Sequence, residues 1–321
     1  MTARRVTARW YPRTVAGTWS ATGDASSVSG PTGAAVLFDG PLLSIGRFWC
    51  PPGDERWTRE NWIGRRAHVV FPHTAVLIRQ RDREPLVADP TQAVLYETGT
   101  HYQRDLLSPE GDRSTYVAAA PAALAAIAAS FPTTNLHVTP SVALGAQLLA
   151  RCCEDPAGPD ALEVEELGLS LIERSLAVAP SRADAERARR PMTDRLHADL
   201  VDDVRCHLAA TSTDSQSLAE IAATVGASPF HLARLFRART GLTLHEYRNQ
   251  LRVRAALERL TEPAADLATL ALDLGFASHS HFDVRFRRAF GRSPSAVRTL
   301  FRGHGSDQMR TLVKVLRASP T

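Results

Sequence analysis

The spacing of hydrophobic residues divides the chain into a strand-rich stretch and a helical stretch. Between residues 34 and 120, apolar runs of three to five residues recur at close spacing, with Pro, Gly and Asp clustered between them. Several short strands at such spacing are typical of a β-sandwich or a small barrel. Because a barrel of about eight strands holds one small ligand inside, this stretch is a candidate sensor.

From residue 142 onward the apolar residues follow a helical period instead. Helices are predicted over residues 142–154, 161–177 and 193–210. The first two form a pair that fits a dimer interface and equally fits packing on the strands, so both alternatives stay open. The third carries four apolar residues on one stripe, namely Leu196, Leu200, Val204 and Leu208.

The stretch from residue 217 to 298 contains one helical pattern twice. The sequence Leu-Ala-Glu-Ile-Ala at 218–222 returns as Leu-Ala-Thr-Leu-Ala at 267–271, and each copy is followed by a turn glycine. A second helix then begins after a capping serine, Ser228 in the first copy and Ser278 in the second. A short helix, a glycine turn and a capped second helix make a helix-turn-helix. Two such units predict binding to DNA.

The distribution of charge favours the same function. The whole chain carries a net charge of +4, but residues 228–302 contain thirteen arginines against six acidic residues, a local balance of +7. Such a basic segment is the electrostatic footprint expected for binding a polyanion. No apolar run is long enough to span a bilayer, and four cysteines do not make a disulfide framework. We therefore expect a cytoplasmic protein with no membrane segment.

The second helix of the first copy supplies candidate DNA contacts. Its apolar residues Leu232, Leu235 and Phe236 share one face of the helix, so the residues on its remaining surface are available to DNA. The candidates are Ser228, Phe230, His231, Ala233, Arg234 and Arg237. Arg234 is the leading one, because a guanidinium pairs bidentately with guanine in the major groove; the alternative is that it stays solvated or holds a phosphate. His231 recurs as His281 in the second copy, so a role in the fold is as open as base recognition.

The second copy has a comparable helix with a stripe of phenylalanines for its core. Its candidate DNA contacts are His279, Ser280, Asp283, Arg285, Arg287 and Arg288. The three arginines suit phosphates, which adds affinity without sequence information. Asp283 either accepts from cytosine N4 or repels phosphate. A continuous helix over residues 244–260 would hold the two recognition helices apart, as two major-groove segments about 34 Å apart require.

Together these motifs give the segment from about 218 to 298 a resemblance to the C-terminal DNA-binding domain of the AraC/XylS family of transcription regulators. The residues that carry it include His-Leu-Ala-Arg-Leu-Phe-Arg at 231–237 and Phe-Arg-Arg-Ala-Phe-Gly at 286–291. Val284 departs from the family pattern, which often has arginine there, and Val297 replaces a usual aromatic residue. The resemblance covers about a quarter of the chain.

The resemblance implies seven helices, promoter binding on double-stranded DNA, a cupin-like sensor for a small-molecule effector and contact with RNA polymerase. We therefore expect an α+β multidomain protein with an N-terminal cupin-like β-barrel plus appended helices and a C-terminal all-α domain with two helix-turn-helix motifs. Its predicted segments are a flexible arm (1–33), a sensor and dimerisation domain (34–178), a linker (179–192), a DNA-binding domain (193–302) and a C-terminal tail (303–321).

The function expected from these features is transcription regulation, with activation favoured by family analogy. We expect no enzymatic activity, no cofactor and no bound metal, and a homodimer is left open. The alternative is a cupin metalloenzyme, or a metal-sensing cupin, fused to a DNA-binding domain. It would draw its ligands from Cys50, His68, His73 and His101, but these lack the paired His-x-His with a following glutamate that such a site needs.

Overall fold

The computed structural model describes residues 33–80, 83–121, 135–155, 158–177, 192–262, 266–303 and 306–317. The predicted arm lies outside the described residues except for Gly33, and so does the predicted linker except for Met192. We call residues 33–177 the N-terminal unit and residues 192–317 the C-terminal unit.

The N-terminal unit contains two antiparallel sheets. Their strands are β1 (Gly33–Asp39), β2 (Leu43–Cys50), β3 (Asn61–Trp62), β4 (Ala67–Pro72), β5 (Val76–Gln80), β6 (Leu86–Ala88), β7 (Gln92–Tyr96), β8 (His101–Leu106), β9 (Asp112–Ala119) and β10 (Asn135–His137). The larger sheet has the order β1-β2-β9-β4-β7-β10, and the smaller has the order β3-β8-β5-β6. The predicted strand-rich stretch is thus present.

The described strands do not close into the predicted barrel. The larger sheet ends at β1 and β10, the smaller ends at β3 and β6, and among the described strands no backbone pairing joins one sheet to the other. The physical reason lies in the edges: β3 has two residues and β6 has three, which offer too few backbone groups to continue the ladder. The strands therefore form an open two-sheet arrangement.

Among its described residues the N-terminal unit also has the α-helices α1 (Pro140–Cys153) and α2 (Ala161–Leu176). Thr139 caps α1 by accepting from the Val142 backbone N–H, and Asp160 caps α2. Apolar residues of α1 and α2 are buried in one core with strands of the larger sheet, and Gly168 of α2 lies against Leu43 of β2. Packing on the strands, one of the two alternatives for this helix pair, is what the structure contains.

The C-terminal unit is helical throughout its described residues. Its helices are α3 (Met192–Ala210), α4 (Leu218–Thr224), α5 (Pro229–Thr240), α6 (Leu244–Arg259), α7 (Leu267–Asp273), α8 (His279–Phe290), α9 (Pro294–Arg302) and α10 (Ser306–Arg317). The pairs α4–α5 and α7–α8 are the two helix-turn-helix units, and α6 connects them. Of the stripe predicted for α3, Val204 and Leu208 are buried, whereas Leu196 is 60% exposed.

The second helix-turn-helix unit shares a hydrophobic core with the N-terminal unit, but the first does not. The shared core runs from the larger sheet through α1 and α2 to α7, α8 and α9. Helix α10, which lies in the segment expected to be a tail, buries Met309, Leu312 and Leu316 in this core. The first unit has a separate core formed with α3 and the start of α6. No helix in the described ranges is both long enough and apolar enough to cross a membrane.

Candidate nucleic-acid interface

Helix α5 has well-formed ends. The Ser228 Oγ accepts a hydrogen bond from the His231 backbone N–H at 3.3 Å, and Pro229 occupies the first helical turn. At the other end the chain turns out of the helix at Gly241, whose φ of 74° lies in the left-handed region. These local signals in the sequence fix where the helix begins and ends.

One side of α5 is buried and the opposite side is open. Leu232 and Phe236 are fully buried in the core of the first helix-turn-helix unit. Phe230 is 78% exposed, and Arg234 and Arg237 are exposed as well. Arg234 has no hydrogen bond or ion pair with any residue that the structure describes, so its guanidinium is available to an outside partner. An exposed phenylalanine and unpaired arginines on one helix surface suit a nucleic-acid ligand.

The two histidines that recur in the copies both contact other rings of the C-terminal unit. The ring of His231 lies 5.5 Å from that of His197 on α3, and the ring of His281 meets Phe276 edge-on at 5.6 Å. Both are half-buried. Of the two roles left open for His231, these contacts favour the one in the fold.

Helix α8 repeats the construction of α5. The Ser278 Oγ accepts from the His281 backbone N–H at 3.2 Å, and Gly291 ends the helix with a φ of 67°. Phe282, Phe286 and Phe290 stack along the buried side, with ring centroids 5.5 Å and 4.5 Å apart. The predicted phenylalanine stripe is therefore the core of this unit.

The open side of α8 differs in chemistry from that of α5. His279, Ser280, Arg287 and Arg288 are exposed, and Val284 is 63% exposed among them. The Asp283 carboxylate accepts a hydrogen bond from the Arg287 Nε at 2.8 Å, an ion pair one turn apart on the same helix. The negative charge of Asp283 is thus balanced within α8.

Arg285 is less accessible than the other two candidate arginines of α8. The Arg285 Nε lies 3.3 Å from the His281 Nε2, and the side chain is half-buried. Arg288 therefore offers the most accessible charge of the three to a phosphate, because Arg285 is half-buried and the exposed Arg287 is paired with Asp283.

Arg252 of α6 joins the two helix-turn-helix units. Its guanidinium donates to the backbone carbonyls of Ser212, Asp214 and Gly275 at 2.5, 3.0 and 2.7 Å. Gly275 has a φ of 78°, and a Cβ there would lie 2.3 Å from the Thr213 carbonyl oxygen, so only glycine fits this turn. Helix α6 has 16 residues and therefore spans about 24 Å. The hydrogen bond from Arg252 to Gly275 attaches the turn of the second helix-turn-helix unit to this helix.

A buried polar cluster joins helices α3 and α6 of the C-terminal unit to the N-terminal unit. The Asp89 Oδ2, after β6, accepts from the Arg205 Nη2 of α3 at 3.0 Å and from the Tyr247 hydroxyl of α6 at 2.5 Å. The other oxygen of Asp89 accepts from the Thr91 backbone N–H and hydroxyl. Burial by itself would raise the pKa of Asp89. The Arg205 charge and these hydrogen bonds outweigh burial and bring the pKa below its ordinary value, so the carboxyl is ionised.

Two further contacts on α6 continue this interface. The buried Arg254 donates to the carbonyls of Pro90 and Val138, both at 2.7 Å, and its burial lowers its pKa to about 10. The Glu258 carboxylate lies 2.7 Å from the His73 Nδ1. Burial raises the pKa of Glu258, but the nearby His73, Arg47 and Arg113 together outweigh burial and lower it to about 2. Sequence patterns did not single out Asp89, Arg205 or Glu258, because their partners lie far away in the chain.

A cavity of about 190 Å³ lies between the two sheets of the N-terminal unit. Its lining includes Phe48, Tyr96, Tyr102, Arg104, Asp112 and Tyr116. The Arg104 guanidinium donates to Asp112 at 2.6 Å and to the Tyr102 hydroxyl at 2.5 Å, and it lies 4.3 Å from the centre of the Phe48 ring. Its buried Nε has no partner among the described residues. The cavity thus combines aromatic walls with an arginine whose charge is paired with Asp112.

The residues considered for a metal each have other surroundings. The His68 Nδ1 lies 2.9 Å from the Arg66 carbonyl, His73 contacts Glu258, and His101 contacts Glu60. Burial raises the pKa of the Cys50 thiol to about 11, which disfavours the thiolate that a metal needs. Across the ranges that the structure describes, no three His, Cys, Asp or Glu side chains come together to hold a metal ion.

Two capped helices with open, basic faces, held by one connecting helix, define a double helix-turn-helix DNA-binding protein. A family model described as a helix-turn-helix domain matches residues 221–299. The regulatory protein SoxS of Salmonella typhimurium is 38% identical over 78 residues, which cover 24% of this chain and 73% of SoxS. The chain belongs to the AraC/XylS family of transcription regulators.

Other relatives match over smaller shares of their length. The bifunctional transcriptional activator/DNA repair enzyme AdaA of Bacillus subtilis is 25% identical over 39% of this chain, and the match spans 64% of AdaA. The transcriptional activator RhaS of Pectobacterium carotovorum is 36% identical over 21% of this chain, and the match spans 24% of RhaS. The chain therefore matches less than two thirds of either protein.

Solved structures are similar at low TM-scores. An AraC-type regulator from Chromobacterium violaceum is 25% identical, with a TM-score of 0.32 over 33% of this chain and 96% of that one. ToxT from Vibrio cholerae is 12% identical, with a TM-score of 0.34 over 81% of this chain and 98% of that one.

Proposed function

We propose that the protein is an effector-responsive transcription regulator that binds double-stranded DNA in two adjacent major-groove segments. The C-terminal unit is the DNA-binding domain and the N-terminal unit is the sensor. The observation that carries the proposal is the pair of helices α5 and α8, each capped by serine, each buried on one side and each open and basic on the other. Family membership rests on the same segment.

The two helices divide the work of recognition. On α5, Arg234 pairs with guanine in the major groove and Phe230 contacts a thymine methyl group, because both side chains are exposed near the start of the helix. On α8, Arg287 and Arg288 bind phosphates, which fixes register and adds affinity that depends on salt. Sequence is thus read mainly by the first unit, and the second unit serves chiefly as an anchor.

The sensor is a cupin-like module whose effector binds in the cavity between the sheets. Aromatic walls favour a small, largely apolar molecule. The Arg104–Asp112 pair already balances its own charge. An uncharged effector therefore enters at a lower desolvation cost than an ion does.

Effector binding would reach the DNA-binding domain along a short path. Ala88 lines the cavity, and the next residue, Asp89, accepts hydrogen bonds from Arg205 of α3 and Tyr247 of α6, the helices that flank the first helix-turn-helix unit. A shift of β6 on binding therefore moves a group to which α3 and α6 are both attached. This is the physical basis on which we propose an effector-responsive protein.

Activation through RNA polymerase is our proposal for the output, since RhaS and AdaA are both named transcriptional activators. We further propose a cytoplasmic protein without catalytic activity and leave dimerisation through the N-terminal unit as a hypothesis. The name of AdaA includes a DNA repair enzyme. In this chain burial raises the pKa of Cys152, Cys153 and Cys206 to about 12, which makes these thiols poor nucleophiles.

Selection of binding sites from a pool of random duplex DNA with the full chain tests this function. The proposal predicts an enriched sequence with two segments of conserved bases about one helical turn apart. A thermal-shift screen of small metabolites then tests the sensor, because an effector specific to the native state raises the melting temperature. Enrichment of no sequence would contradict the DNA-binding part, and a hit whose shift survives Arg104→Ala would contradict the cavity assignment.

A further inference from the structure

Val284 occupies the position in the second unit that Arg234 occupies in the first. The two residues are offset by 50, as are the capping serines Ser228 and Ser278 and the end glycines Gly241 and Gly291. Each is the sixth residue after its capping serine. The two recognition helices therefore present an arginine and a valine at equivalent points.

Nothing within the fold accounts for a valine at this point. Its side chain is 63% exposed, and the core of the second unit is built from phenylalanines on the opposite side of α8. Valine is also a weaker helix former than alanine, because its branched Cβ restricts the side-chain rotamers in a helix. Val284 contributes neither burial nor helix propensity here.

The charges around Val284 identify the kind of molecule that covers it. Arg287 and Arg288, one turn further along α8, are exposed and suit a polyanion. The neighbouring acid, Asp283, is held by Arg287 at 2.8 Å, so no free negative charge on this side of α8 opposes a phosphate backbone. An isolated apolar side chain within a basic helix face matches DNA, whose major groove contains one apolar group, the thymine methyl.

We propose that Val284 reads thymine through its 5-methyl group, so that the second unit selects a thymine at the position where the first unit selects guanine through Arg234. This inference rests on the proposed function and names the base that its second recognition helix takes. It gives α8 a role in sequence recognition besides its role as an anchor.

The test compares thymine with deoxyuracil, which lacks only the methyl group. Sites are first selected with the full chain, and the half-site of the second unit is identified as the half that Arg234→Ala leaves unchanged. Each thymine of that half-site is then replaced singly by deoxyuracil. At one position we expect affinity to fall about fourfold, the value of one buried methyl group, and we expect Val284→Ala to abolish that difference.

A matched control is available in the N-terminal unit. Val36 on β1 is 61% exposed, close to the exposure of Val284, and Val36→Ala should leave the deoxyuracil effect intact. A second variant, Val284→Arg, should change the preferred base at that position from thymine to guanine.

The outcomes separate this inference from the function on which it rests. Two results overturn the role of Val284 and leave DNA binding intact. In the first, the second half of the selected site has no thymine whose replacement by deoxyuracil lowers affinity. In the second, such a thymine exists but its replacement lowers affinity in Val284→Ala as well. If affinity is unchanged by Val284→Ala itself, Val284 faces another partner, such as a protein, and the inference is equally wrong. If no sequence is enriched at all, both proposals fail.

Discussion

Asp89 and Arg205 form a buried ion pair, with 3.0 Å between the Oδ2 and the Nη2, that joins the N-terminal unit to helix α3 of the C-terminal unit. Asp89 is fully buried and the Arg205 side chain is 9% exposed. Tyr247 donates to the same carboxylate oxygen and accepts from the Arg205 Nε. Asp89, Arg205 and Tyr247 therefore supply hydrogen-bond partners to one another, and loss of one side chain removes a partner from a buried polar group.

We predict that Asp89→Ala lowers the free energy of unfolding by about 3–5 kcal/mol, because it removes the fully buried carboxylate from Arg205 and leaves that guanidinium paired with the more exposed Asp202. Urea unfolding followed by circular dichroism measures the change. Tyr247→Phe, which removes only a hydroxyl, should cost about 1–3 kcal/mol. The matched control is Asp273→Ala, which breaks an exposed pair with Arg259 and should cost less than about 1 kcal/mol. Equal effects for Asp89 and Asp273 would contradict the account of the interface.

Acid should weaken the interface through Glu258. Its pKa is about 2 in the folded chain against an ordinary value of 4.5, so its contribution is complete above pH 4.5 and is lost as the pH falls from 4.5 toward 2. The contribution is at most about 3 kcal/mol, from 1.36 kcal/mol per unit of pKa. Stability measured between pH 6 and pH 3 should therefore fall less steeply in Glu258→Gln than in the natural chain.

The control for this titration is Glu97→Gln, which changes an exposed carboxylate paired with Arg83. Its pH profile should follow that of the natural chain. An unchanged slope in Glu258→Gln would mean that the contact between His73 and Glu258 does not stabilise the protein.

Phosphate binding by α8 predicts a specific change in salt dependence. Arg288→Ala should weaken binding to all duplexes alike and reduce the slope of log affinity against log salt by about 1. Arg59→Ala, which removes an arginine from the N-terminal unit, should leave the slope unchanged. Affinity titrations between low and physiological salt measure both slopes. A change of base preference in Arg288→Ala would show that this arginine contacts a base.

The helices of the C-terminal unit were predictable because their signals are local. Serine caps, turn glycines and the phenylalanine stripe lie within a few residues of one another, and each appears in the structure where the sequence places it. The buried faces of α5 and α8 follow from the same spacing. Which exposed residues contact DNA stays a prediction, since exposure alone does not identify a contact.

The contacts between the units were not predictable in this way. Asp89 and Arg205 are 116 residues apart, and neither stands in a pattern that differs from an ordinary surface charge. The open sheets were also missed, because closure of a barrel depends on pairing between edge strands that local spacing does not encode. Helix α10 lies beyond the duplicated pattern, and its apolar stripe indicates a partner only once α1 and α2 are in place.

Recognition of a base by Arg234 is the central claim, and selection of DNA sites in parallel with the natural chain and Arg234→Ala tests it most directly. We predict that the natural chain enriches a site with a fixed guanine in one half and that Arg234→Ala loses that preference alone, at a cost of about 1–3 kcal/mol in specific binding. If the natural chain and Arg234→Ala select the same conserved bases at every position and bind that site with equal affinity, the claim is contradicted.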